Sequence, residues 1–123
     1  MDAIRPTDLH KLEGYRPGLD LYRQILKILS FFPKGEADLK SQMRRAARSI
    51  PMNSGEGAGK RSRGRIAAYE IALGEAKEIM VTLDIALIDE LAPIDEIRSA
   101  QQLADRQAAI LTRLIQAEER AIG

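Results

Sequence analysis

The sequence predicts an all-α protein, an up-down-up-down four-helix bundle, on three observations. Apolar residues recur at helical spacing in four segments, short breaks containing Pro or Gly separate them, and the apolar complement is aliphatic. Hydrophobic residues make up 45% of the 123 and aromatics only 4%, with no Trp, so the core must be built from Leu, Ile, Ala and Met. Packed helices suit such side chains, whereas sheets favour β-branched and aromatic ones.

Residues 1–17 read as a polar leader closed by Gly14 and Pro17, and residues 18–123 as the bundle. In the first helix Leu19, Tyr22, Ile25, Leu26 and Leu29 recur at helical spacing until Phe31-Phe32, where Pro33 and Gly35 end it. The second helix starts near Glu36 to Asp38, with acids where the helix dipole favours them. Its stripe is Leu39, Met43, Ala46, Ile50, Asn53 and Gly57. Pro51 removes one backbone donor and predicts a kink inside a continuing helix, and Gly57 and Gly59 offer left-handed termination.

The third helix runs from an N-cap at Ser62 to about Leu91, before Pro93. One stripe on it is Ile66, Tyr69, Leu73, Ala76, Met80, Leu83 and Leu87. Gly74, Val81, Ile85 and Ile88 form a second, on another face. A helix apolar on two faces needs more neighbours than one antiparallel partner supplies, so the second stripe is expected to lie against another helix, including one of a neighbouring subunit. The fourth helix, about Ile94 to Ala121, uses Ile97, Ala104, Leu111, Leu114 and Ala121.

Composition narrows the chemistry. Cysteine is absent, which excludes disulfides and thiolate nucleophiles, and His10 in the leader is the only histidine, so no metal site is expected. No serine stands in a nucleophile-elbow context, and Glu75, Glu78, Asp89 and Glu90 read as solvated helix faces. The expectation is a non-enzyme without a cofactor, an active site shared between subunits being the distant alternative. The N-terminus has no apolar signal region and the chain no long apolar run, so neither secretion nor a membrane partner is expected, and the cytoplasm is the default.

The net charge of +1 hides a strong asymmetry. Residues 40–65 carry eight cations (Lys40, Arg44, Arg45, Arg48, Lys60, Arg61, Arg63, Arg65) against one anion, Glu56, while residues 66–123 carry five cations against eleven anions. The stretch Ser54-Gly-Glu-Gly-Ala-Gly-Lys60 superficially suggests a nucleotide loop. It fails the pattern: Ser54 stands where the first glycine belongs, and Arg61 where the magnesium-binding hydroxyl belongs.

Arg63 and Arg65 fall in the first turn of the third helix, where the dipole disfavours cations by a few tenths to ~1 kcal/mol each. Such a local conflict tends to mark function, and a bound anion would relieve it. The candidate nucleic-acid-binding residues are therefore Arg44, Arg48, Lys60, Arg61, Arg63 and Arg65, contacting RNA or DNA by its backbone, since stacking aromatics are missing from the cluster. The competing expectation pairs arginines of the second helix with Glu70, Glu75 or Glu78 of the third. Asn53 on the apolar stripe is expected to be structural, satisfying groups freed by Pro51 or setting register or subunit pairing.

The segment from Leu39 to Ser62 resembles the four-helix-bundle family of proteins encoded by intervening sequences in bacterial large-subunit ribosomal RNA genes. Ser41, Gln42, Arg44, Arg45, Ala46, Ser49, Ile50, Pro51, Asn53, Glu56, Gly57, Gly59 and Lys60 match that family's second helix, and Ile71, Ala72, Gly74, Glu78 and Leu83 extend the match over roughly residues 39–86. The resemblance implies a four-helix protomer, a ring-like homopentamer, and a distant likeness to the accessory protein of diversity-generating retroelements, which partners a nucleic-acid-processing enzyme and binds nucleic acid. It implies no defined activity. Ser54-Gly55 departs from the usual aliphatic-Ala pair and is expected to loosen the end of the second helix. Gly64-Arg65 replaces a frequent Lys-Glu pair, and the first helix lacks the family's common Trp.

Overall fold

The computed structural model describes residues 13–123, and the expectation for His10 falls outside them. Four helices follow one another: α1 (Tyr15–Leu29), α2 (Ala37–Ala58), α3 (Ser62–Ile88) and α4 (Ile94–Ile122), with no strand among the described residues. Each helix packs on its sequence neighbour and α4 closes back onto α1, while the diagonal pairs barely meet. Short connections force this arrangement, since a helix that must turn back at once lies beside its predecessor.

Helix α1 begins at Tyr15, four residues before the first member of its apolar stripe, Leu19. Pro17 and Gly18 are thus inside it. Proline is tolerated in a first turn because its missing N–H would be unpaired there anyway. Gly18 is needed for closeness, since a Cβ there would sit 3.3 Å from the Pro51 backbone and 3.3 Å from Gln107 Nε2.

Helix α2 continues through Pro51 to Ala58, so Asn53 and Glu56 are helical. Left-handed termination does not occur: Gly59 ends α2 at φ −85°. The fully buried positions of α2 include Met43, Ala46 and Ile50 from the expected stripe, joined by Ala47. Ser54 is also buried, and Gly55 lies against the ring of Tyr15, whose Cδ1 would be 3.2 Å from a Cβ at that position. The Ser54-Gly55 pair is therefore an accommodation of α1, not a loosened end.

In α3 the deepest line is Ala72, Ala76, Ile79, Leu83 and Ala86; Ala76 and Leu83 come from the expected stripe, as does buried Tyr69, while its Ile66, Leu73, Met80 and Leu87 are only partly buried. Alanines carry most of it and let α2 and α4 approach closely. The second stripe is exposed on the single chain: Val81 is 59% and Ile88 79% exposed, and a Cβ added at Gly74 would meet nothing within 4 Å. Helix α3 stops at Ile88, three residues early, in a Schellman motif: Leu91 N–H donates to Ala86 O (3.0 Å) and Glu90 N–H to Leu87 O (3.3 Å). Glu90 occupies the left-handed position, φ 54°, where glycine is usual.

The core holds one polar outlier. Gln107 of α4 is wholly buried; its Nε2 donates to Gly14 O (2.9 Å), with Ser54 Oγ at 3.5 Å, so it ties α4 to the starts of α1 and the end of α2.

Candidate nucleic-acid interface

The basic segment is continuous in sequence and divided in space. Lys40, Arg44, Arg45 and Arg48 lie on the N-terminal half of α2, beside the C-terminal half of α1. Lys60, Arg61, Arg63 and Arg65 lie at the other end of the bundle, on the α2–α3 turn and the first turn of α3. From Arg48 to the end of α2 is ten residues, about 15 Å of helical rise.

At the turn, the four cations are not equivalent. Arg65 is half-buried, and its guanidinium holds the end of α2: Nε donates to Gly57 O (3.1 Å) and Lys60 O (2.9 Å), and Nη2 to Ala58 O (3.1 Å). These carbonyls belong to the last turn of α2 and the residues after it, so Arg65 acts as a C-cap delivered from the next helix. Its Nη1 is 3.5 Å from Glu118 Oε2 on α4. Glu118 Oε1 in turn accepts the N–H of Ser62 at 3.2 Å. Ser62 is therefore the first residue of α3, not its N-cap; no side chain of the cap residue, Arg61, bonds there, and Glu118 supplies the acceptor.

This carboxylate also offsets the positive end of the α3 dipole. The local conflict read from Arg65 thus has an internal partner, 53 positions further along the chain and carrying no spacing signal. Tyr69 packs below this group, and burial above all pushes its phenol up, Arg65 pulling it down and Glu118 adding to the rise. Lys60 pairs with Glu56 one turn back (2.8 Å). Arg61 and Arg63 are exposed and form no ion pair among the described residues.

On α2, Arg45 reaches Glu78 of α3 at 3.9 Å, one instance of the expected arginine–acid pairing and a loose one. Glu75, beside them, has its carboxyl raised above the usual value, by burial first and then by Glu78, with Arg45 opposing. Arg44 and Arg48 remain exposed and without an ion pair among the described residues. With Lys40 they form an i, i+4 row of like charge, an arrangement that costs an isolated helix about 0.2–0.5 kcal/mol per pair.

Asn53 does not serve the carbonyl freed by Pro51, which is that of Ala47. Its Nδ2 donates to Ser49 O (3.0 Å) and Ser49 Oγ (2.8 Å), bracing α2 beside the proline.

Between α1 and α2 lies a cleft of about 690 Å³ lined by Leu26, Leu29, Ser30, Lys40, Ser41, Arg44, Arg45 and Arg48. It contains four cations and no acid. On the α3–α4 side a smaller groove, about 320 Å³, carries the opposite sign through Asp84 and Asp105. No helix among the described residues is long and apolar enough to cross a membrane.

Comparison with known proteins agrees with this architecture. A crystal structure of a protein of unknown function from the S23 ribosomal protein family of Bacteroides thetaiotaomicron superposes with a TM-score of 0.76 at 20% identity, covering 89% of this chain and 99% of that one. At that identity the likeness establishes the fold. Among curated proteins none shows a significant match. The family profile described as 23S rRNA-intervening sequence protein matches residues 10–113, most of the chain, taking in α1, α2 and α3 whole and α4 as far as Arg113. The chain belongs to the 23S rRNA-intervening sequence protein family.

Proposed function

We propose that this chain is a non-enzymatic, cytoplasmic four-helix protein that assembles into a homo-oligomer, a pentameric ring by family resemblance, with α2 bent at Pro51, and that it contacts RNA or DNA through the nucleic-acid backbone. One observation supports the reading above the others: Arg44, Arg48, Arg61 and Arg63 stay exposed without an ion pair among the described residues, although the chain carries 18 acids. Unpaired cations at two ends of one helix suit an extended polyanion better than a compact one.

In this reading Arg44, Arg48, Arg61 and Arg63 are the phosphate contacts, Lys60 joins them by exchanging Glu56 for phosphate, and Arg65 holds the turn that presents them. A test is fluorescence anisotropy with labelled duplex and single-stranded oligonucleotides over a range of salt. Five phosphate contacts give a log–log slope of roughly −4.5 on duplex and about −3.5 on a single strand. Changing Arg61 and Arg63 to Gln should flatten the slope for all sequences alike. No binding at low salt would refute the reading.

A second reading makes the protein an interaction scaffold. It is favoured by the opposite signs of the α1–α2 cleft and the α3–α4 groove, which suit head-to-tail contact between copies or docking of an acidic, nucleic-acid-processing partner. Under it the arginine substitutions would weaken assembly and leave no nucleic-acid affinity to lose.

A further inference from the structure

We infer that the cleft between α1 and α2 is a binding site for a run of phosphoryl groups, with Lys40, Arg44 and Arg48 taking successive phosphates and Ser41 donating its hydroxyl. The inference deepens the nucleic-acid reading and rests on it for the choice of a polymeric ligand, but the site itself can be tested with an inorganic probe.

The row Lys40, Arg44, Arg48 runs along one ridge of α2 with a rise of about 6 Å between members. That step is comparable with the phosphate-to-phosphate step of a nucleic-acid strand. None of the three has an ion pair among the described residues, and no acid lines the cleft, so nothing within it neutralises them. The fourth cation, Arg45, is drawn toward Glu78 on the other side of α2 and leaves the row to the ligand.

The opposite wall is apolar: Leu29 is buried and Leu26 is 38% exposed. An apolar wall facing a line of cations concentrates their field in the gap between. Ser30 also lines the cleft, but its hydroxyl is committed to Lys27 O, so Ser41 is the hydroxyl available there. Arginine at two of the three positions suits phosphate, whose oxygens accept its paired N–H groups. The volume suits a few phosphoryl groups of one strand.

The probe is sodium tripolyphosphate, titrated into the full chain by calorimetry and followed in amide spectra. Saturable binding is expected, weakening with salt, with shifts confined to residues around Ser30 and from Lys40 to Arg48. Arg44→Gln with Arg48→Gln should weaken it about tenfold or more. Arg98→Gln with Arg120→Gln, which removes the same charge from the exposed side of α4, should not. Circular dichroism of each variant checks the fold.

Absence of binding, shifts centred on the 59–63 turn, or equal losses in both variants would overturn the inference. A labelled single-stranded oligonucleotide, competed with tripolyphosphate, separates it from the broader reading. If tripolyphosphate binds in the cleft and no oligonucleotide binds, the nucleic-acid reading falls and the phosphoryl site stands. If the oligonucleotide binds as tightly to the Arg44/Arg48 variant as to the unmutated chain, the reading stands and the cleft inference falls.

Discussion

Two glycines inside helices provide a matched test of the packing. Gly57 lies near the end of α2 and Gly74 in the middle of α3, so alanine is the better helix former at both, by up to ~1 kcal/mol. Their surroundings differ. A Cβ on Gly57 would sit 2.7 Å from Tyr69 Cε1, 2.8 Å from Cδ1 and 3.3 Å from Ala68 Cβ, whereas one on Gly74 would meet nothing within 4 Å. The Tyr69 ring is buried and cannot step aside as a flexible chain end would, so the clash costs about 1–3 kcal/mol as overpacking. Net of propensity, Gly57→Ala should destabilise by ~0–2 kcal/mol and Gly74→Ala should stabilise by ~0.5–1 kcal/mol. Urea unfolding of both variants, each at equal protein concentration, reads the difference, which corresponds to several degrees in Tm. Equal stabilisation by both substitutions would refute the claimed α2–α3 contact. A loss at Gly74 would refute its description as free space and would show that another surface, such as a second copy, covers it.

Arg65→Gln should cost about 1–2 kcal/mol, because it removes three charge-assisted bonds to carbonyls and the Glu118 pair from a half-exposed site, while Arg63→Gln should stay within ~0.5 kcal/mol; equal effects in denaturant titrations would sink the clasp. Glu90→Gly should stabilise by up to ~1 kcal/mol, since it relieves a left-handed residue in the Schellman turn, and a lower Tm would contradict that geometry. Glu75 has a folded pKa above its unfolded value, so its neutral form is the one the fold favours, and stability is lost as pH rises through the folded pKa. Glu75→Gln should therefore stabilise at neutral pH, with the advantage vanishing below about pH 4.5; an advantage that grows in acid would reverse the assignment. Val81→Glu with Ile85→Glu should dissociate the proposed oligomer while leaving helicity intact, since both side chains are exposed on the single chain; light scattering that finds the unmutated protein already monomeric refutes the assembly.

Helical periodicity made the four helices legible and located their breaks, because Pro33, Gly35 and Pro93 leave few alternatives. The continuation of α2 past Pro51 was legible too, from apolar spacing on both sides of it. The depth of α3 was not. Its innermost line is mostly alanine, and alanine is weighted so lightly in a hydrophobic pattern that Ile66, Leu73 and Met80 seemed to mark the centre instead. The start of α1 was misplaced because Pro17 reads as a break unless it falls in a first turn, where it fits. Gln107 gave no signal at all: its hydrogen-bond partners, Gly14 and Ser54, are 93 and 53 positions away.

At the candidate interface the charge count was legible and its geometry was not. Eight cations in one stretch suggested one patch, but a helix converts sequence separation into distance, and the intervening turns of α2 set the two groups apart. The turn cations also looked alike. A chain that reverses within a few residues brings the first turn of α3 back over the last carbonyls of α2, and only Arg65 lies at the reach and height to cap them. Its charge is thus spent inside the fold, and Arg61 and Arg63 keep theirs.

The division of the basic segment bears on how assembly and binding would coexist. The apolar residues exposed on α3, Val81, Ile85 and Ile88, belong to a helix that packs on α2 and α4, whereas the cleft opens between α1 and α2. Contact between copies through that face of α3 leaves the row Lys40, Arg44, Arg48 uncovered. Several clefts would then be carried on one particle, and a strand held in one would see the next at high effective concentration, so weak individual contacts would suffice. Head-to-tail docking of the acidic α3–α4 groove into the cleft has the opposite consequence, because it neutralises the same cations that a phosphate chain requires. Assembly and anion binding are additive in the first geometry and exclusive in the second. The response of the oligomer to tripolyphosphate therefore discriminates between them: particle mass is unchanged by the anion in the first case and falls in the second.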